Sequence, residues 1–273
     1  MDARTGKKIR LGRLFRRKSG KTLLVAYSHG VLMGPQPGMA SLDEMRRVAV
    51  SLSRADGLMV APGMVSRLEE AFTGRDRPSL IVHLDYQSFS RSVLPYEEGA
   101  TVQMAQVEEA LAAGADAVMT YLYMGYVEPE REKLEAGRNA QIARACERWG
   151  LPLMIEPRSA REARRPEDKT DAEVMALYCR VAAEIGADLV KCIYPGSFEK
   201  LRKVIEGCAA PLLLAGGSRQ EDPEIAYDRA REAMQAGAAG LVFGRNIYEA
   251  ADPAAELERY EAIVHAPVRK ARG

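Results

Sequence analysis

The sequence is poor in several groups that would have named a chemistry at once. Its three histidines, His29, His83 and His265, lie far apart along the chain, so no histidine-built metal centre is expected. Its four cysteines, at positions 146, 179, 192 and 208, form no CxxC pair. Three of them sit in apolar surroundings, which reads as buried free thiols in a reducing compartment, hence a cytoplasmic protein. Acid and base nearly cancel, with 39 Lys plus Arg against 38 Asp plus Glu. That balance gives no global reason to expect nucleic acid or a membrane surface as a partner. No apolar run reaches membrane-spanning length, and the N-terminus lacks the apolar core of a signal peptide. A GxGxxG turn is also missing after the first apolar run, which argues against an open dinucleotide-binding sheet.

What is present is rhythm. Among 273 residues, 47% are hydrophobic and 28% charged, the balance of a folded chain with a sizeable core. Eight short apolar runs recur: TLLVAYSHG, GLMVAPG, LIVHLDY, DAVMTYLY, LPLMIEP, DLVKCIYPG, PLLLAGG and GLVFGRN. Each has the continuous apolar character of a parallel strand covered on both faces. Between them lie stretches of helical period, among them DEMRRVAVSLSRA, TVQMAQVEEALAAG, AQIARACERWG, AEVMALYCRVAAEIG and PEIAYDRAREAMQAG. The junctions AAGADAVM, EIGADLVK and QAGAAGLVF share a helix end, a glycine suited to a left-handed cap, and a strand two residues later. Eight such units without a linker predict an α/β protein built as one (β/α)8 TIM barrel over 22–273. Residues 1–21 read as a basic extension, with nine Arg or Lys against Asp2 alone. There Ile9, Leu11, Leu14 and Phe15 are expected to form one face of a short covering helix.

Barrel chemistry sits at the C-terminal ends of the strands, and that rule selects residues without further help. Lys191 is the sharpest signal, because an ammonium inside an apolar run is costly to desolvate. Burial favours the neutral amine, a nucleophile for carbonyl carbon. The competing reading is an ion pair with Asp85 or Glu156. Glu156, in LMIEP, is a candidate proton shuttle, or else an ion-pair partner of Arg158 or Lys191. Tyr123 and Tyr194 are candidate acids that more often serve as packing residues. Ser28, His29 and Asp85 are candidates for holding substrate hydroxyls. Gly216, Gly217 and Ser218, with Gly244 and Arg245, end the last two strands, where barrels commonly bind phosphate. The charged segment REARRPEDKTD (161–171) reads as a solvated loop, with a lid as the alternative.

At these residues a resemblance enters. VAYSHGVLMGPQPGM (25–39), GADLVKCIYPGSFEKLRKVIEGCAAPLLLAGGSR (186–219) and AGAAGLVFGRNIYEAADP (236–253) resemble the class I aldolases of the DhnA type. That group includes archaeal-type fructose-bisphosphate aldolases, aminodideoxyheptulosonate synthases and the thiolase-like enzyme acting on phosphorylated autoinducer-2. The resemblance implies that Lys191 is the Schiff-base lysine and that AGGSR and GRN are phosphate-binding turns. It also implies a metal-independent reaction with no cofactor, a phosphorylated small-molecule substrate and a homo-oligomer. Two positions depart from the family pattern. Ser28 stands where the family has an aspartate before His-Gly, and Glu156 where aldolases carry a tyrosine before Pro-Arg. The resulting expectation is a class I aldolase using Lys191, Glu156 and Tyr123, with Arg158 among the substrate-binding residues. The alternatives are an acyl or aldol transferase on the same lysine and a barrel that binds a sugar phosphate without turnover.

Overall fold

The structure, a computed structural model, describes residues 2–90, 93 and 99–266; residue 1 of the expected extension and 267–273 of the expected barrel domain lie outside them. All eight apolar runs form strands: β1 (Thr22–Ala26), β2 (Gly57–Val60), β3 (Ser79–His83), β4 (Ala117–Met124), β5 (Leu153–Ser159), β6 (Leu189–Ile193), β7 (Leu212–Ala215) and β8 (Gly240–Phe243). They pair in parallel, each with its neighbours in sequence, and β8 closes on β1 to give a single barrel. Nearly every strand residue is buried, as a sheet covered on both sides requires.

Alternation along the strands sorts two cores. Leu23, Val25, Leu58, Val82, Val118, Ile155, Val190 and Leu214 belong to the cluster shared with the outer helices. Leu24, Met59, Ile81, Met119, Met154, Leu189, Leu213 and Val242 belong to a second cluster that fills the barrel interior. Because side chains alternate faces, the residues two further along the inner set emerge at the C-terminal mouth. That parity carries Glu156 (after Met154) and Lys191 (after Leu189) into one chamber.

Helix ends follow their local sequence. The side chains of Asp171, Ser197, Asp222 and Asp252 each accept a hydrogen bond from a first-turn N–H. The three repeated junctions carry glycines at φ +89° (Gly114), +124° (Gly186) and +96° (Gly237), a region that side chains with a Cβ avoid.

One helical stretch is corrected. In TVQMAQVEEALAAG only Val107–Ala112 is helical. Thr101–Gln103 instead pairs antiparallel with Asp85–Gln87 in a small ribbon at the mouth. Cross-strand pairing there overrides the local helical period.

The helix Ala3–Leu14 packs at the opposite end of the barrel. Leu14 is fully buried in the interior cluster, with Leu11 and Phe15 packed beside it. Ile9, expected on that face, is 55% exposed. Lys7 takes the buried position instead, with its ammonium between Glu147 and Asp188, 2.8 Å from an Asp188 oxygen.

Candidate active site

A cleft of about 620 Å³ opens at the C-terminal mouth, a size suited to a small organic ligand. Lys191 is 6% exposed at its floor, with Glu156, 2% exposed, on the neighbouring strand. Glu156 Oε2 lies 2.6 Å from Lys191 Nζ. Oε2 is buried and in ion-pair contact with the ammonium. The other oxygen, Oε1, accepts from Arg158 Nη1 at 3.2 Å. Of the sequence alternatives, Lys191 therefore pairs with Glu156 and not with Asp85, and Glu156 touches both Lys191 and Arg158.

Strand β5 continues to Ser159 while its pairing with β6 stops at Ile155–Val190. Pro157 sits in that overhang, where a missing N–H leaves no gap on the β6 side. Arg158 follows, half-buried, gripped at both ends of Glu162: Nε donates to Oε1 at 2.5 Å and Nη2 contacts Oε2. Burial opposes the Arg158 charge, but Glu162 outweighs it and holds the guanidinium well above its usual range. Reciprocally, burial works against the Glu162 carboxylate, yet Arg158 and Lys169 hold it below the usual range.

The glycine loops face the cleft as expected. Gly216, Gly217, Ser218, Gly244 and Arg245 all line it. A Cβ on Gly244 would stand 2.6 Å from Ala26 O and from the His29 ring, so only glycine brings this backbone so close. Asn246 ties the two loops together, donating to Gly216 O at 3.0 Å and accepting from Gln220 N–H at 3.1 Å. Arg245 has a sealed Nε with no hydrogen-bond partner.

His29 also lines the cleft. The residue is half-buried overall, but its Nδ1 is sealed and unpartnered. Burial, then the charges of Arg245 and Lys191, push its pKa down to about 3, so the imidazole is neutral.

Three expected residues are placed elsewhere. Tyr123 is fully buried beneath Phe89, whose ring stacks on it at 3.8 Å, and it does not line the cleft. Tyr121, two residues earlier on the same inward face, does line it. Burial and then Glu156 push the Tyr121 phenol well up, so it remains a donor. Ser28 and Asp85 are drawn into a separate network through His83. The His83 Nδ1 lies 3.0 Å from Ser28 Oγ and its Nε2 2.9 Å from Asp85 Oδ1. Asp85 Oδ2 accepts from Tyr121 N–H at 2.9 Å and from Arg138 Nη1 at 2.7 Å.

Sequence reasoning missed Tyr121, Phe89, Lys169, Thr170 and Arg229 on the cleft wall and Glu162 behind it. The segment 161–171 is not a solvated loop throughout: Asp168 is 2% exposed and accepts from Ser159 Oγ at 2.6 Å. Tyr194 lines the cleft with its hydroxyl turned to Glu232 at 2.5 Å. All four cysteines are free thiols. Among the described residues no helix is long and apolar enough to cross a membrane, and no group of three or more His, Cys, Asp or Glu is arranged to hold a metal.

Known proteins match this arrangement along nearly the whole chain. An uncharacterised aldolase from Saccharolobus solfataricus is 32% identical over 261 residues, covering 95% of this chain and 94% of the relative. A 2-amino-4,5-dihydroxy-6-oxo-7-(phosphonooxy)heptanoate synthase from Streptomyces griseus is 31% identical over 267 residues, 97% of this chain and 92% of its own. An archaeal fructose-1,6-bisphosphate aldolase, solved with its catalytic lysine bound as the carbinolamine of the substrate, superposes with a TM-score of 0.80 at 26% identity. That likeness covers 95% of this chain and 100% of the other. A family model described as "DeoC/LacD family aldolase" matches residues 22–250, and with these relatives it shows that the chain belongs to the DeoC/LacD family of aldolases.

Proposed function

We propose that Lys191 is the Schiff-base nucleophile of this class I aldolase, acting without a metal on a phosphorylated ketose or related carbonyl compound. The observation that carries the assignment is the contact ion pair: Lys191 Nζ and Glu156 Oε2 stand 2.6 Å apart on the cleft floor. Glu156 can take the ammonium proton directly, which frees the amine to add to the substrate carbonyl. The same carboxylic acid then protonates the carbinolamine hydroxyl, water leaves, and an iminium forms. That cation is the electron sink for breaking the next C–C bond. As it breaks, the returned Glu156 carboxylate accepts the proton of the departing alcohol, so the aldehyde leaves and an enamine stays on Lys191. Protonation of the enamine and hydrolysis of the iminium restore the amine.

The surrounding groups suit the remaining parts of such a substrate. The Tyr121 phenol donates toward an oxygen near Glu156. Neutral His29 contributes an uncharged imidazole face to the cleft wall. The glycine loops and the Arg245 guanidinium suit a phosphate. The carbinolamine of the archaeal aldolase and the phosphonooxy group in the Streptomyces griseus relative's name support both halves of this reading. We place the enzyme in the cytoplasm, in keeping with its free thiols, and expect a homo-oligomer, which sedimentation reads directly.

The test is borohydride reduction in the presence of dihydroxyacetone phosphate or a fructose phosphate. The reduced adduct is expected on the peptide holding Lys191, with activity surviving EDTA. An adduct on another lysine would overturn the assignment, and a rate that depends on added coenzyme A would move the reaction to acyl transfer.

A further inference from the structure

We propose that the site selects substrates with a single anionic end, and that Glu162 sets this selection by holding Arg158 away from the ligand. The inference deepens the aldolase reading above and rests on its phosphate end at strands β7 and β8.

The cations lining the cleft are Arg158, Lys169, Lys191, Arg229 and Arg245. They divide by strand. On the β5–β6 side every one is paired. Arg158 is clamped through both Nε and Nη2 by Glu162 and reaches Glu156 through Nη1. Lys169 Nζ lies 3.1 Å from the same Glu162, and Lys191 lies against Glu156. Three cations there share two carboxylates, and the remaining charge belongs to Lys191, which is committed to the substrate carbonyl.

Toward β7 and β8, neither cation is within 4 Å of a carboxylate oxygen among the described residues, although Glu249 is near enough to feel the Arg245 charge. Arg229 lies over the Tyr194 ring at 5.3 Å, and Arg245 keeps a sealed, unpartnered Nε. Tyr194 follows β6 and Arg229 lies on Pro223–Ala236, the helix after β7, so Arg229 lines the cleft between the ends of β6 and β7. The free positive charge of the cleft is therefore gathered at one end.

A two-oxygen grip on a guanidinium matches the geometry that arginine would otherwise offer a phosphate. To bind a second anionic group, Arg158 would have to leave Glu162, which would leave a largely buried carboxylate without its partner. The incoming anion would also face two carboxylates, and like charges brought together in an interface discriminate strongly against the ligand that carries them. The far end of the substrate is thus neutral and polar, such as an aldehyde-derived chain of hydroxyls, while the phosphate sits between β7 and β8.

The test compares fructose 1-phosphate with fructose 1,6-bisphosphate, by calorimetric binding and by the rate of borohydride trapping. Wild-type protein is expected to favour the monophosphate by about tenfold or more. Glu162→Gln releases Arg158 and should shift the ratio toward the bisphosphate by about the same factor. Arg158→Gln leaves Glu156 and Glu162 without their guanidinium partner and should weaken the bisphosphate further while leaving the monophosphate little changed. Equal or better binding of the bisphosphate by the wild type overturns the proposal, as does an unchanged ratio in Glu162→Gln. These binding ratios stand apart from the lysine chemistry. A preserved monophosphate preference with no adduct at Lys191 would overturn the proposed reaction and leave the selection intact.

Discussion

Two buried polar clusters flank the barrel mouth, one on β1, β3 and β4, the other on β5 and β6. The first runs from Ser28 through His83 and Asp85 to Arg138, and each link is a hydrogen bond between 2.7 and 3.0 Å. The His83 ring bridges its two neighbours, with Nδ1 at the Ser28 hydroxyl and Nε2 at the Asp85 carboxylate. The second cluster, of Glu156, Lys191, Arg158 and Glu162, is similarly buried. Hydrogen bonding does not separate the two, because Arg138 Nε in the first is itself buried without a hydrogen-bond partner. Access does: Glu156, Arg158 and Lys191 line the cleft, whereas Ser28, His83, Asp85 and Arg138 do not. A buried network away from the cleft fixes structure, while a carboxylate and an ammonium that face it can exchange a proton with a ligand.

The largest effect that sharpens this contrast is expected from Lys191→Met, which should lower activity by roughly 10⁴-fold or more, as loss of a covalent nucleophile does. Full activity in that variant would dissolve the distinction between the clusters. Glu156→Gln keeps the shape and removes the exchangeable proton. It should reduce kcat by about 10²–10⁴-fold, with a borohydride adduct that still forms at Lys191 but slowly. Near-normal turnover would make Glu156 an ion-pair partner only.

Asp85→Asn probes the other side. Arg138 would lose a buried partner, at a cost of about 3 kcal/mol, read as a lower denaturation midpoint, while folded protein still traps substrate at Lys191. Loss of trapping with unchanged stability would transfer this cluster to the chemistry. Arg245→Ala removes a charged phosphate donor and should raise KM by roughly 10–100-fold with a smaller change in kcat. A kcat effect without a KM effect would separate Arg245 from binding.

The smallest expected effect belongs to His29. Its pKa falls from an ordinary 6.5 in the unfolded chain to about 3 in the fold, chiefly through burial. Between those values the unfolded chain takes a proton that the folded one refuses, so stability should decline as pH falls from 6.5 toward 3. A denaturation midpoint measured across that window should flatten in His29→Gln. An identical decline in the variant would assign the pH dependence to other groups.

The barrel was legible because parallel strands buried on both faces read as uninterrupted apolar runs, and Lys191 was legible because it breaks one. Glu156 stood out for the same reason. The rest of the site is written in long-range contacts. Tyr121 and Tyr123 share a strand face, and the Phe89 ring, supplied from the connection between the two ribbon strands, covers Tyr123 and leaves Tyr121 to meet the cleft. Glu162 is the local exception: it lies only four residues after Arg158, yet it looked like one charge among many in 161–171, because an irregular segment has no fixed period to bring the two together. His83 is 55 residues from Ser28 in sequence, so their link exists only once the barrel closes. Thr101–Gln103 read as helix because its pairing partner lies across a connection that local periodicity cannot see.

Leu14 plugs the end of the barrel opposite the cleft, and among the described residues the interior above it is filled with buried Leu, Met, Ile and Val side chains. The chamber therefore has a single door. In the proposed cleavage reaction the aldehyde leaves first, because the other fragment stays bonded to the lysine until its iminium is hydrolysed. Both products then share one exit, which makes the aldehyde the natural competitor for re-entry while the enamine waits.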